Sequence, residues 1–232
     1  MCLEAAKLLA RQCASLILIG SNAFKGESAR NELIKLTGNE NIHYLCADLS
    51  LAEETYRIGK QIRAQFNHID ILVLGTGGVY PKKRKVTAEG LEFVFALQYL
   101  SRFQFSNEMM DLLYATDDPK VIQIAGGGSI KQTVDMDNIQ GEKVYSKLKS
   151  ISRISPLNDV LTAEQINRFE DVKFYNYGPG LVRTNIIMGD PIARLFFNTV
   201  GRLFTRSSIE AGNDIVNLVA GNYASGFYGA DN

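Results

Sequence analysis

The chain has 232 residues, with 25 Lys+Arg balanced by 25 Asp+Glu, and this zero net charge argues against an electrostatic binder of nucleic acid or of a membrane surface. Hydrophobic residues make up 46% and charged residues 22%, which excludes wholesale disorder and suits one α/β domain or two small ones. Three cysteines (Cys2, Cys13, Cys46) at no metal-like spacing, and only two histidines (His43, His68), argue against a disulfide scaffold or a metal site.

In chain order, Leu3 to Arg11 carries apolar residues at helical spacing. The run Ser15 to Gly20 (SLILIG) reads as a strand buried on both faces. It is far shorter than the ~20 residues of a membrane span, and the N-terminus lacks the pattern of a secretory signal. A soluble, cytoplasmic protein with no membrane span is expected. Lys25 to Leu36 is helical, with Gly38 placed to end it. Ile42 to Cys46 is the second strand. Ser50-Leu51-Ala52-Glu53 reads as a capping box opening a helix that runs to about Phe66. Ile69 to Leu74 is the third strand. The charge run Lys82-Lys83-Arg84-Lys85 reads as a solvated loop. Thr87 precedes a long helix over Leu91 to Tyr114. Val121 to Ala125 is the fourth strand, followed by Gly126-Gly127-Gly128. A helix lies between Tyr145 and Phe169, with Pro156 inside it or near its first turns. Val172 to Tyr177 is the fifth strand. Residues 190–220 read as helices, and Gly226 to Tyr228 as a last short strand.

Strand–helix alternation at this spacing implies a parallel sheet covered by helices on both faces. In such sheets ligands sit beyond the carboxyl ends of the strands. The residues to inspect are therefore Ser21, Asp48, Gly75 to Gly78, Gly126 to Ser129 and Pro179 to Thr184.

Several of these segments, taken together, resemble the short-chain dehydrogenase/reductase family, in particular its retinol-dehydrogenase-like branch. They are Asp48-Leu49-Ser50, then IDILVLGTGG, then VTAEGLEFVFALQYLSRF, then YNYGPGLVRTN, and finally Ser225-Gly226-Phe227-Tyr228. The resemblance covers nearly the whole chain. It implies a Rossmann-like, doubly wound parallel sheet in a single NAD(P)-binding domain over 1–232. It also implies hydride transfer between nicotinamide and an alcohol or carbonyl, and dimers or tetramers built on the two long helices. The apolar segment 186–206 matches the family's substrate-covering segment. Family members open with a strand and a T-G-x-x-x-G-x-G turn, and this chain starts at Met1-Cys2 where that turn should finish. The first strand and glycine loop are therefore expected to be missing. Either the sequence is a piece of a longer protein, or it is a short chain that binds cofactor poorly or not at all.

On the cofactor side the resemblance carries over to Ser21, Asn22, Lys25, Asp48, Leu49, Gly75, Thr76, Gly77 and Thr184. Asp48 matches the acid facing the adenine amino group, and Thr184 the threonine that fixes the carboxamide. An acid at Ser21 would select NAD through the ribose hydroxyls. Ser21, Asn22 and Lys25 instead leave room and charge for a 2′-phosphate, favouring NADP with NAD as the alternative. On the catalytic side the family uses Tyr, Lys, Ser and Asn. Tyr145 and Lys149 form the one Y-x-x-x-K, a spacing that puts both on one helix face. A second register places the catalytic positions on Ile151 and Ser155 and removes the pair. Ser129 is the candidate serine, and Gln98 stands for the family's Asn. The two resulting readings are an oxidoreductase acting on an apolar carbonyl or secondary alcohol, and a degenerate homologue serving as a binding module.

Overall fold

A computed structural model describes residues 1–77, 80–126, 133–182 and 205–229. The chain is α/β and Rossmann-like. Its described residues group into two compact units, one formed by 1–47 with 179–222 and the other by 48–178 with 223–230.

In the first unit, α1 (Cys2–Leu9) leads into β1 (Leu16–Gly20), α2 (Ala23–Thr37) and β2 (Ile42–Cys46). β1 and β2 pair in parallel, from Leu16 opposite Ile42 to Gly20 opposite Cys46. The expectation that β1 is buried on both faces is not met, since all five of its residues are half-buried. α2 starts and stops as its sequence dictates. The Asn22 side chain accepts a hydrogen bond from the Lys25 amide at one end. At the other end Gly38 takes a left-handed conformation, φ 73°, that a side chain would resist. The core gathers Ala6, Ala10, Leu33 and Ile42, with Leu16, Leu18 and Ile34 against it. A last helix of this unit, here α8 (Ser208–Ala220), carries a Ser207–Glu210 capping box not anticipated from sequence.

In the second unit β3 (Ile71–Leu74), β4 (Lys120–Ile124), β5 (Lys173–Gly178) and β6 (Gly226–Gly229) form a parallel sheet in that order. All five residues of β4 are buried, as an inner strand of a covered sheet requires. α3 (Ala52–Gln65) corrects one expectation, because its start has no capping box. Ser50 instead turns back onto Asp48, and the Glu89 carboxylate accepts from the Ala52 and Glu53 amides at 2.8 and 3.0 Å.

The long helix expected over 91–114 is broken into pieces. These are α4 (Phe93–Phe95), a π-helical turn at Ala96–Leu100, α5 (Ser101–Glu108) and α6 (Met110–Leu113). α7 (Lys147–Arg168) then crosses the sheet with Pro156 well inside it. Val94, Ile154 and Leu157 make the contact between α4 and α7, with Tyr80, Phe93, Phe95 and Tyr99 packed around them.

Candidate functional site

The carboxyl ends of β3 and β4 in the second unit lead into Gly75-Thr76-Gly77 and Ala125-Gly126. Above them lies a buried polar cluster. Gln98 sits in the π-helical turn and is 3% exposed. Such turns recur at functional sites, because one extra residue per turn re-aims a side chain. Tyr80 donates its phenol proton to Gln98 Oε1 at 2.9 Å. Burial pushes the Tyr80 phenol above its usual pKa, partly countered by the nearby Arg102 guanidinium and the Gln98 bond. Arg102, one helical turn beyond Gln98, donates to the Thr76 carbonyl at 2.6 Å and the Ile124 carbonyl at 2.7 Å. It thereby fastens the ends of two neighbouring strands. A Cβ on Gly77 would come within 3.2 Å of Gln98 Oε1, so the backbone approaches the cluster closely there. Thr76 Oγ1 lies 3.4 Å from Ser101 Oγ.

Tyr145 is tied to the same segment. Its hydroxyl donates to the Pro81 carbonyl at 3.0 Å, one residue beyond Tyr80. Residues 80–81 thus gather Gln98 and Tyr145 around one stretch of chain. The expectation that Tyr145 and Lys149 share a helix face is not met. Ser146 caps α7 by accepting from the Lys149 amide at 3.2 Å, so Tyr145 precedes the helix. Lys149 lies in the first turn with its residue exposed. Ile151 and Ser155, the other register, are both inside α7. The Ser155 hydroxyl is buried without a hydrogen-bond partner. It lies 2.0 Å from where a Cβ on Gly126 would stand. Ser129 and Thr184 lie outside the described residues, as does nearly all of 186–206.

The loop that presents Tyr145 is held from below. Glu92, fully buried, accepts from the amides of Val94 and Phe95 and from Arg153 Nη2 at 2.9 Å. Gly141 at φ 63° lets the loop pass with Tyr145 and Arg153 only 3.0 and 3.1 Å from its missing Cβ. Burial lowers the pKa of Arg153, and the neighbouring Glu92 charge opposes that.

The remaining cofactor candidates divide between the units. Asp48 and Leu49 belong to the second. Asp48 Oδ1 accepts from the Ser50 amide at 3.0 Å and hydroxyl at 2.7 Å, the work of a turn residue at a strand end. Ser21, Asn22 and Lys25 belong to the first, at the start of α2, and all three are exposed. Tyr44 closes over this turn. Its hydroxyl donates to the Gly20 carbonyl at 2.7 Å, and its ring fills the space a Cβ on Gly26 would need. Burial first, then a hydrogen bond with Cys46, pushes the Tyr44 phenol up to about 12. Sequence reasoning missed Tyr44, Tyr80, Arg102 and the Glu92–Arg153 pair. Of these only Arg102 left a signal, its four-residue spacing from Gln98.

A family model for short chain dehydrogenases matches residues 1–146. The chain belongs to the short-chain dehydrogenase family. Among curated relatives of this short-chain dehydrogenase, an oxidoreductase of Saccharomyces cerevisiae is 30% identical over 166 residues, covering 69% of this chain and 52% of the relative. An oxidoreductase of Emericella nidulans is 28% identical over 169 residues, covering 73% and 50%. Retinol dehydrogenase 11 of Mus musculus is 26% identical over 200 residues, covering 84% and 63%. The chain spans about half the length of the first two relatives. Among solved structures, L-sorbose reductase from Gluconobacter frateurii, complexed with NADPH and L-sorbose, superposes with a TM-score of 0.71 at 16% identity. That match covers 98% of this chain and 88% of the reductase.

Proposed function

We propose that this short-chain dehydrogenase is an NAD(P)-dependent oxidoreductase that interconverts a carbonyl and a secondary alcohol on an apolar small molecule. One observation carries the reading. Residues 80–81, beyond the end of β3, bind both the buried amide Gln98 and the hydroxyl of Tyr145. A phenolic proton donor and an amide held by the chain that follows β3 support the reading, because this class of sheet binds its ligands beyond the carboxyl ends of its strands.

The donors at the start of α2 suit a nicotinamide dinucleotide with a 2′-phosphate. Ser21 offers a hydroxyl and Lys25 a cation, and α2 has no acid in its first turn. A helix N-terminus also favours anions. NADP is therefore the proposed cofactor, with NAD as the alternative. Asp48, Leu49, Gly75, Thr76, Gly77 and Thr184 complete its binding set in a single domain over 1–232. When bound, the nicotinamide supplies or accepts the hydride. In the reduction direction Tyr145 gives its proton to the carbonyl oxygen, and the Lys149 cation favours the resulting phenolate. Gln98 and Ser129 orient substrate and donor, and 186–206 covers the substrate. A cytoplasmic homodimer or homotetramer completes the proposal.

A second reading, a binding module without turnover, has one observation in its favour. In the other register a serine, Ser155, stands where the family lysine would be, with its hydroxyl against Gly126. The test is titration with NADPH and NADH, then turnover of apolar ketones by the wild type and Tyr145→Phe. Tighter NADPH binding, and turnover that falls at least ~100-fold in the variant, is expected for a lost general acid. Binding without turnover, unchanged by the variant, would establish the module instead.

A further inference from the structure

Two surface segments of the second unit, 81–86 and 136–149, are tied edge to edge. Tyr145 Oη binds the Pro81 carbonyl at 3.0 Å. Arg84 Nε donates to the Gln140 carbonyl at 2.9 Å, and its Nη2 lies 3.6 Å from Glu142 Oε1. Asn138 closes the second segment on itself, donating to the Val144 carbonyl and accepting from the Lys143 amide, both at 2.9 Å. These ties bring Lys82, Lys83, Arg84, Lys85, Lys143, Lys147 and Lys149 to one region. Each lies within four positions of a tied residue. The carboxylates in the same segments are Asp137 and Glu142, with Asp135 immediately before the second. Seven cations against three anions leave a local excess of four on a chain whose total is zero.

The same segments expose aliphatic side chains. Leu148 is 77% exposed, Met136 67%, Val144 50% and Val86 43%. Scattered exposed apolar residues need no explanation, but Val86, Met136 and Val144 on the tied segments, with Leu148 in the first turn of α7, lie among the lysines as a mixed patch.

We propose that this face binds the surface of an anionic phospholipid bilayer. Lys82, Lys83, Lys85, Lys143 and Lys147 meet headgroup charges, while Leu148, Val144 and Met136 enter the boundary between headgroups and acyl chains. The balanced total charge does not oppose this, because screening confines the attraction to about 10 Å and only the facing patch is felt. The aliphatic character favours lipid over single-stranded nucleic acid, whose bases stack on aromatic side chains.

The test sediments the full chain with vesicles of phosphatidylcholine alone and of phosphatidylcholine mixed with phosphatidylserine. Partition onto the anionic vesicles alone is expected, and its loss in high salt. Lys82→Glu/Lys83→Glu should lower that partition about tenfold or more, since each reversed charge is repelled by the surface. Leu148→Ser should weaken it severalfold with the thermal midpoint unchanged. None of the substituted side chains, Lys82, Lys83 and Leu148, belongs to the proposed catalytic set, so the result does not depend on turnover. Equal partition onto both vesicles, no partition, or partition unmoved by the variants would overturn the proposal. Retention of single-stranded RNA without vesicle binding would also overturn it, and would assign the patch to nucleic acid.

Discussion

Ser155 carries a local energetic cost inside α7. Its hydroxyl is buried without a hydrogen-bond partner among the described residues, a state that costs about 1–3 kcal/mol. Ser155→Ala is therefore expected to raise stability by about 1 kcal/mol, read as a higher urea midpoint at unchanged slope. A lower midpoint would mean that the hydroxyl is satisfied in solution. Gly126→Ser should do the reverse, because its Cβ would stand 2.0 Å from Ser155 Oγ. Since that atom is the end of a small side chain, the strain is expected to be relieved in Gly126→Ser/Ser155→Ala, and a double-mutant cycle would show the coupling. The same neighbourhood shows what part of the site was legible. The types Tyr145, Lys149 and Gln98 could be read from spacing. Their geometry could not, because Ser146 rather than Tyr145 caps α7, and the cap decides which residue is on the helix. Tyr80 and the Pro81 carbonyl were also invisible, since they meet Gln98 and Tyr145 across 18 and 64 positions of chain.

Among the elements, strands were read within two residues at each end, because short apolar runs bounded by Gly and Asn have few alternatives. The helix starts were harder. At α3 the local capping box lost to Glu89, which reaches the same amides from 36–37 positions away. At α4 the cap is Glu92, held by Arg153 from α7, and this pair is buried on both sides. Removing either charge leaves the other stranded, so Glu92→Gln and Arg153→Met should each cost about 3 kcal/mol. The double variant should cost less than the sum, measured by chemical denaturation. β4 and β5 are joined at their starts by another charge cluster. The Lys173 and Lys120 ammonium groups hold the Asp118 carboxyl below the usual carboxylate range. A depressed folded-state pKa adds stability above the unfolded value, near pH ~4, and that gain fades as pH falls through the folded value. Asp118→Asn should therefore lower the thermal midpoint at pH 7, with an effect that shrinks progressively as pH falls below ~4. A variant equally destabilised across that range would show that the loss is packing rather than charge.

At the scale of the molecule, the alternation of strands and helices was enough to give a parallel α/β architecture, but not the division of its strands between two sheets. Pairing partners far apart in sequence decide that division, and hydrophobic periodicity is the same for an inner strand and an edge strand. The division has a consequence for stability. β4 pairs on both sides and is wholly buried, whereas among the described residues β1 pairs with β2 alone and is half-buried throughout. A two-stranded pair is marginal unless a helix face covers it. In the first unit that cover comes from α1 and α2, through the small cluster of Ala6, Ala10, Leu33 and Ile42. α8 leans on α1 closely enough that a Cβ on Gly212 would meet Glu4 Cβ at 2.8 Å and the Ala5 amide nitrogen at 3.0 Å. Backbone cannot yield as a side-chain tip can, so Gly212→Val should loosen this unit before the other. Native-state hydrogen exchange should find the β4 amides protected to the global unfolding free energy and the β1 amides released through a smaller opening. Gly212→Val should speed exchange at Leu18 and Ile19 while leaving Val121 and Ile122 little changed. Equal protection of β1 and β4, slowed or hastened together by the variant, would instead show that both sheets open in one cooperative step.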